Sequence, residues 1–501
     1  SDLPIPLYII LIILLIQQSF KMFTQCTPST FIFHHRPHCR PRSYSLPSSF
    51  STSFKTTCRS LSSVSQTPQI ESFWEWLMEH KAVTSKSSIR PAIVNEGVGL
   101  VALRDIAKNE VVIEIPKRLW INPEMVSSSE IGNACSDLKP WISVALFLIR
   151  EKLNPASFWR RYLDLLPSST NSTLFWSEEE LAELQGAQLL RTTIGAKDFL
   201  RREFEKVCER VLAPNSNLFP SNITLDDFVW AFGVLRSRSF SRMRGESLLL
   251  LPLGDLINHD PEITTEESYE IKGGGLFSRE VVFSLRSPIS VKAGDEVRIQ
   301  YDLVKSNGEL ALDYGFVESK KQRNAYTLSL QISESDPFYS DKLDIVETNG
   351  LGGNANFDVI LGESLPPSLL PYIRLIGIGG GDAFLLESIF RDSIWSHLEL
   401  PISKANEELV CRVLQDACSE GLAGYRTTIE EDEEIRLEEM TERKRIAVEV
   451  RLGEKKVLKQ IADAFGAREM ELNLFEYYQE RRLKDLGLVG EQGEIIFWES
   501  K

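Results

Sequence analysis

The stretch from Gly294 to Phe316 reads GDEVRIQYDLVKSNGELALDYGF, and the rest of the chain is organised around it. Gly294 and Asp295 are turn residues. Behind them Val297, Ile299 and Tyr301 alternate with Arg298 and Gln300, the period-two pattern of a half-buried strand. Tyr301 therefore shares the inward face with two apolar residues. A polar segment and a helical turn separate it from Tyr314, which precedes Gly315. Two phenols so placed either line a small pocket or sit in the core with satisfied hydroxyls, and the pattern leaves both readings open.

Upstream, Leu248 to Pro252 reads as a buried strand and runs into Gly254-Asp255-Leu256-Ile257-Asn258-His259-Asp260. Earlier still, Glu96-Gly97-Val98-Gly99 stands at the entrance to a hairpin predicted over Gly97 to Pro116. Leu100 to Leu103 is its first strand, Lys108-Asn109 its turn, and Val111, Ile113 and Ile115 the alternating face of the second. Glycine at that entrance either makes a plain turn or lets backbone approach a ligand closely. Thr224-Leu-Asp-Asp opens a helix with Leu225, Phe228, Val229, Phe232 and Leu235 on one face, ending in Arg236-Ser-Arg238-Ser-Phe240-Ser-Arg242. Such an arginine run is ordinarily a solvated helix end, but a guanidinium fork also suits a carboxylate.

Gly294-Asp-Glu-Val followed after three residues by Tyr301-Asp302, with Asn258-His259 and then Glu96-Gly97-Val98-Gly99 upstream, resembles the motif set of the SET-domain protein-lysine methyltransferases. From about Phe73 to about Phe465 the chain is similar to the plant members of that family that methylate the Rubisco large subunit or plastid fructose-bisphosphate aldolase. The resemblance implies an α+β fold: a β-rich SET domain with a helical insertion, followed by an all-helical substrate-binding domain. It implies S-adenosylmethionine as methyl donor and no metal. Tyr301 is the implied catalytic residue. Glu96, Gly97, Val98, Arg238, Asn258 and His259 are implied for the cofactor. Arg238, Phe240, Arg242, Asp255, Tyr269, Tyr301 and Tyr314 are implied for the substrate lysine. Asp260-Pro261 departs from the family, where serine or cysteine commonly follows the histidine.

Composition bounds these readings. A chain of 501 residues is long enough for two or three domains, and 43% hydrophobic with 25% charged residues is ordinary for a soluble globular protein. A net charge of -15 disfavours nucleic acid as the main partner, because phosphate binding relies on lysine and arginine clusters. Seven scattered cysteines without a C-x-x-C pair support neither a zinc cluster nor a disulfide framework. Leu3 to Ile16 is apolar but short for a membrane span, and Gln17 to Ile70 contains no Asp or Glu. That serine-rich, basic composition is expected of an organelle transit peptide. The expectation is that residues 1–66 combine an upstream artefact with a chloroplast transit peptide starting at Met22; a secretory signal built on Leu3 to Ile16 is the competing reading.

The expected division continues with a SET domain at 67–320, its helical insertion at about 125–223, a helical substrate-binding domain at 335–470 and a tail at 471–501. Within the helical region Ser403 is an expected N-cap. Thr428-x-x-Glu431 is a capping box before a long charged segment, read as a solvated helical face. Gly377-Ile-Gly379-Gly380-Gly381 imitates a dinucleotide-binding turn but has Asp382 in the last glycine position. The expected protein is a monomeric stromal lysine methyltransferase without nucleic-acid or membrane partners. The rivals are a noncatalytic SET-derived binding module, a nucleotide-dependent enzyme using the Gly377 segment, and a stromal methyltransferase acting on some other protein.

Overall fold

The computed structural model describes residues 67–240, 248–265, 268–273, 280–390 and 393–488. The expected transit segment, Arg242 and the last part of the tail, 489–501, lie outside these residues. The strands in chain order are β1 (Ile89–Val94), β2 (Gly97–Ala102), β3 (Val111–Pro116), β4 (Asn258–His259), β5 (Tyr269–Lys272), β6 (Val282–Arg286), β7 (Glu296–Ile299), β8 (Ala325–Gln331) and β9 (Asn354–Ile360). The helices used below are α1 (Pro68–Glu79), α2 (Pro140–Leu153), α3 (Arg160–Leu163), α4 (Glu178–Ala182), α5 (Gln188–Val207), α6 (Leu225–Arg238), α7 (Asn307–Asp313), α8 (Tyr339–Thr348), α9 (Leu369–Ile376), α10 (Lys404–Ala423), α11 (Ile429–Ile435) and α12 (Glu442–Met470).

Two small sheets carry the N-terminal half, in the orders β1-β2-β7-β4 and β3-β6-β5. The hairpin expected over Gly97 to Pro116 is corrected: β2 and β3 lie in different sheets. β2 pairs antiparallel with β1, with Val94 opposite Gly97, while β3 pairs with β6. Arg90 and Pro91 hide the alternation of β1 in the sequence, and the proline is accommodated because β1 is an edge strand. The predicted turn is real, since Asn109 takes a positive φ of 65°, but it hands the chain from one sheet to the other. Between Val281 and Tyr301 two strands form, β6 and β7, and Val291 makes only an isolated bridge to Ile106. Leu248 to Pro252 likewise contributes one bridge, Leu250 to Ile121, although Leu249, Leu250 and Leu251 are fully buried.

Side-chain caps start several helices where the sequence places them. Thr224 and Asp227 form a capping box on α6, Ser177 and Glu180 one on α4, and Ser403 caps α10. α2 is apolar nearly all round and is buried in the insertion, against α6.

The C-terminal region is helical except for β9, which pairs with β8 as a two-stranded ribbon. Its charged segment departs from the expected single solvated face. α11 ends at Ile435 and α12 restarts at Glu442 with Thr441 as its own cap. Asp432, Arg451 and Lys455 are buried, Asp432 lying 2.7 Å from both cations. Opposite charges so close remove the need for solvent, which periodicity alone does not reveal. The Gly377 segment follows helix α9 and leads into a 3-10 turn, so the strand that a dinucleotide-binding turn requires is replaced by a helix.

Candidate active site

The segment from Asp255 to His259 is the hub. Gly254–Leu256 forms a single 3-10 turn, after which Asn258 and His259 straighten into β4 and run parallel beside Arg298 and Ile299 of β7. β7 in turn lies beside β2, so the Glu96-Gly97 corner, the Asn-His pair and the approach to Tyr301 fall on one sheet. The three motifs, 38 residues or more apart along the chain where Asn258 meets Glu296, are neighbours because that sheet gathers them.

On the β2 side, Asn258 Nδ2 donates to Glu296 Oε1 at 2.7 Å. Arg298 donates to Glu296 Oε2 at 2.5 Å, to Glu96 Oε2 at 2.8 Å and to the His259 carbonyl at 3.2 Å. Gly97 has a φ of +110° with open space where a side chain would stand. Gly99 is the opposite: a Cβ there would lie 2.4 Å from Glu296 Oε1 and 2.9 Å from Asn258 Nδ2. Val98 packs partly buried against the core.

On the other side, the Tyr301 hydroxyl donates to the Ile257 carbonyl at 2.7 Å. Rings wall it in: Tyr314 at 5.1 Å, His259 at 5.2 Å and Phe316 at 6.3 Å between centroids. Burial raises the Tyr301 phenol well above its ordinary range, so it stays protonated at neutral pH. Because its hydrogen is committed to Ile257, the oxygen presents lone pairs to an incoming group. The charges acting on this phenol are those of Arg238, Asp255, Glu296 and Arg298, which places it between the two polar clusters.

The second cluster centres on Asp255. Arg238, at the end of α6, donates to the Asp255 carbonyl at 2.9 Å and approaches Oδ2 at 3.4 Å. Tyr162 of α3 donates to Oδ2 at 2.9 Å. Oδ1 is buried and has no hydrogen-bond partner among the described residues. Burial pushes the Asp255 carboxyl up to about 6, with Arg238 and Tyr162 opposing the rise. Phe240 and Tyr269 form an edge-on aromatic pair at 5.6 Å, both against Phe283.

The structure thus gathers Glu96, Asn258 and His259 on one side of Tyr301 and Arg238 and Asp255 on another, with Tyr314 against its ring. Gly97 and Val98 form the corner of the same sheet. Phe240, just beyond α6, and Tyr269 of β5 stand together against Phe283 of β6, with Phe240 held by a 2.7 Å backbone bond to Leu249. Arg242 lies outside the described residues. Sequence reasoning passed over Glu296 and Arg298, which the strand pattern placed outward, and over Tyr162, which reaches Asp255 across 93 residues. It also missed Glu318 and Arg323, whose charges carried no recognisable spacing.

Comparison with known proteins agrees with this arrangement. A SET domain family model matches residues 97–302, and a Rubisco LSMT substrate-binding family model matches residues 333–458. The chain is 60% identical over 459 residues to the chloroplastic [fructose-bisphosphate aldolase]-lysine N-methyltransferase of Arabidopsis thaliana, covering 90% of this chain and 95% of that one. It is 61% identical over 435 residues to the chloroplastic Rubisco large-subunit N-methyltransferase of Nicotiana tabacum, covering 86% and 89%. Among solved structures, the SET domain of LSMT bound to lysine and AdoHcy superposes with a TM-score of 0.82 at 56% identity, over 85% of this chain and 97% of that chain. Rubisco LSMT bound to AdoMet superposes with a TM-score of 0.80 at 54% identity, over 85% and 98%. The chain belongs to the SET-domain protein-lysine N-methyltransferases that carry a Rubisco LSMT substrate-binding domain, enzymes that take their methyl group from S-adenosylmethionine.

Proposed function

We propose that this chain methylates lysine side chains of the Rubisco large subunit or of plastid fructose-bisphosphate aldolase, as a monomer in the chloroplast stroma. The relatives that act on these two proteins are both named chloroplastic and match this chain at comparable identity. The observation that carries the chemistry is the Tyr301 hydroxyl, pinned to the Ile257 carbonyl inside a wall of rings and between two charged clusters. We propose the residue division 67–320 for the SET domain, with its insertion at about 125–223, and 335–470 for the substrate-binding domain. Residues 1–66 are proposed as leader and 471–501 as tail.

The residues suit the methyl donor. The open Gly97 corner, the acidic rim of Glu96 and Glu296 and the Asn258 amide offer hydrogen-bonding groups for a nucleoside, with Gly99 permitting the close strand approach. Arg238 offers a guanidinium to a carboxylate. When bound, S-adenosylmethionine supplies an electrophilic methyl group on a sulfonium. The protein must orient the amine, let it lose its proton and keep water from competing. A free lysine ammonium has a pKa of about 10.4, and removal from water together with a nearby positive charge lowers it. Tyr301 is too firmly protonated to act as a phenolate base, so its part is to accept from the amine and fix its line of approach, leaving the proton to water. Asp255 and Arg238 hold the floor of the lysine site, and Phe240, Tyr269 and Tyr314 provide walls that follow the aliphatic stem, with Arg242 beside them by resemblance.

The test is transfer of labelled methyl from S-adenosylmethionine to purified Rubisco and to purified aldolase by the full chain, beside Tyr301→Phe. Label on one of them that disappears in the variant supports the reading and identifies the substrate. Cofactor binding without label on either protein sinks the substrate assignment.

A further inference from the structure

Behind Tyr301, reached through the His259 ring of its wall, lies a buried chain of polar groups that the proposed roles leave unused. The peptide N–H of Tyr301 donates to His259 Nδ1 at 3.2 Å. The far nitrogen, Nε2, lies 3.0 Å from Glu318 Oε1. Glu318 is gripped by Arg323, whose Nη2 reaches Oε1 at 2.7 Å and whose Nε reaches Oε2 at 2.8 Å. The same guanidinium donates to the Asp302 carbonyl at 2.6 Å and to the Lys305 carbonyl at 2.8 Å, holding the turn that follows Tyr301. Asn307 fixes the Glu318 backbone from both ends, accepting from its N–H at 2.8 Å and donating to its carbonyl at 2.9 Å. Glu318 and Arg323 are each about 5% exposed, so solvent does not substitute for these partners.

Donor and acceptor counting fixes the imidazole. A peptide N–H can only donate, so Nδ1 must carry a lone pair; a ring that keeps one hydrogen then carries it on Nε2, aimed at the Glu318 carboxylate. Phe316 stacks on the ring at 4.9 Å and fixes its plane. Burial also disfavours the cationic ring, against the opposing pull of Glu318 and Asp260 and with the help of Arg323.

We infer that Glu318 and Arg323 are positioning residues for methyl transfer: together they lock His259 as the neutral Nε2–H tautomer, whose Nδ1 holds the Tyr301 backbone and thereby the placement of its hydroxyl. The inference rests on the reading of Tyr301 as the group that aligns the amine. Neither residue touches the reacting atoms. Their effect passes through the Tyr301 peptide, where a displacement of about 1 Å is enough to slow an aligned reaction by about a hundredfold.

The experiment combines nitrogen-15 NMR of histidine-labelled full chain with steady-state kinetics on the methylated protein substrate. The His259 signals are assigned by their loss in His259→Gln. In the unaltered chain the ring is expected to be neutral with its proton on Nε2 between about pH 6.5 and 8.5, from the reference histidine value upward; a cationic ring or an Nδ1–H tautomer there overturns the inference without any variant. In Glu318→Gln, Arg323 claims the one acceptor oxygen and turns the amide N–H2 toward His259 Nε2, which removes the preference for the Nε2–H tautomer. The expected result is a fall in kcat of about tenfold to a hundredfold, as for other supporting-shell partners, with KM and the cofactor Kd within about twofold. Arg323→Lys keeps the charge but loses the fork, and its kcat should fall between the two. An unchanged kcat in Glu318→Gln, or a fall with the tautomer signature intact, refutes the relay. Tyr301→Phe separates the two ideas: full activity there refutes the reading of Tyr301 itself, whereas loss there with an unaltered Glu318→Gln refutes the relay alone.

Discussion

Tyr162→Phe removes one oxygen atom from a fully buried ring and isolates what that oxygen does for Asp255. The Tyr162 hydroxyl makes the 2.9 Å bond to Asp255 Oδ2, Arg238 stands farther off at 3.4 Å, and Oδ1 has no partner among the described residues. A hydrogen bond to a charged acceptor contributes about 1.5–3 kcal/mol, and one pH unit corresponds to about 1.36 kcal/mol, so losing it should raise the carboxyl by roughly one to two units. With the Asp255 carboxyl pushed up to about 6 in the parent, some nine-tenths of it is ionised at about pH 7. In the variant, at roughly 7 to 8, the ionised share at that pH falls to between about a half and about a tenth. The phenol itself stays a donor throughout, because burial and then the Asp255 charge hold it well above its ordinary range. The assay is log(kcat/KM) against pH with the protein substrate. Lysine deprotonation gives a slope of about one, and protonation of Asp255 adds a second below its own titration. The steepening is expected near pH 6 in the parent and about one to two units higher in Tyr162→Phe. A break that does not move, or a loss of activity equal at all pH values, would refute the idea that the floor Asp255 forms with Arg238 works only while its carboxylate is charged.

Two further outcomes follow from packing and burial elsewhere. Gly99→Ala drives a Cβ to within 2.8 Å of Val94 and into the Asn258–Glu296 pair, so the cofactor Kd measured calorimetrically should weaken by about tenfold with the fold intact; undiminished binding would show that the β2 backbone does not need that approach. Glu454 on α12, buried with Tyr425 and the Gln188 N–H on one carboxylate oxygen, is pushed up to about 7 from 4.5. The unfolded chain releases this proton near 4.5 and the folded chain near 7, so stability from this group is lost as pH rises through that window, by roughly 3 kcal/mol at most for a difference of about 7 - 4.5 = 2.5 units. Glu454→Gln should therefore raise Tm relative to the parent at pH 8 and much less at pH 5, and an equal effect at both would refute the buried charge.

Much of the site was legible because its residues come from short segments with strong local patterns. Tyr301 at the end of an alternating strand, Asn258-His259 after an apolar run and Gly97 and Gly99 at a corner are each readable within ten residues. The pattern misled where pairing is non-local. β1 carries Arg90 and Pro91 and was not read as a strand, so β2 was joined to β3, its nearest neighbour in sequence, rather than to β1. In the same way a run of charges read as solvated proved to contain Asp432 paired with both Arg451 and Lys455 inside the C-terminal region, with Glu183 also on Arg451.

What the sequence alone determined is the set of elements and their caps, because an N-cap, a helical stripe or a strand alternation is an interaction among residues three or four apart or fewer. It also determined the family, because its motifs are local strings in a fixed order. Only the tertiary structure decided which polar groups face one another: Tyr162 on Asp255, Glu296 between Asn258 and Arg298, and Arg323 on the Glu318 that holds His259. Those contacts depend on distances between side chains that the backbone brings together from afar. Chain position sets no such distance, and burial alone makes the contacts strong.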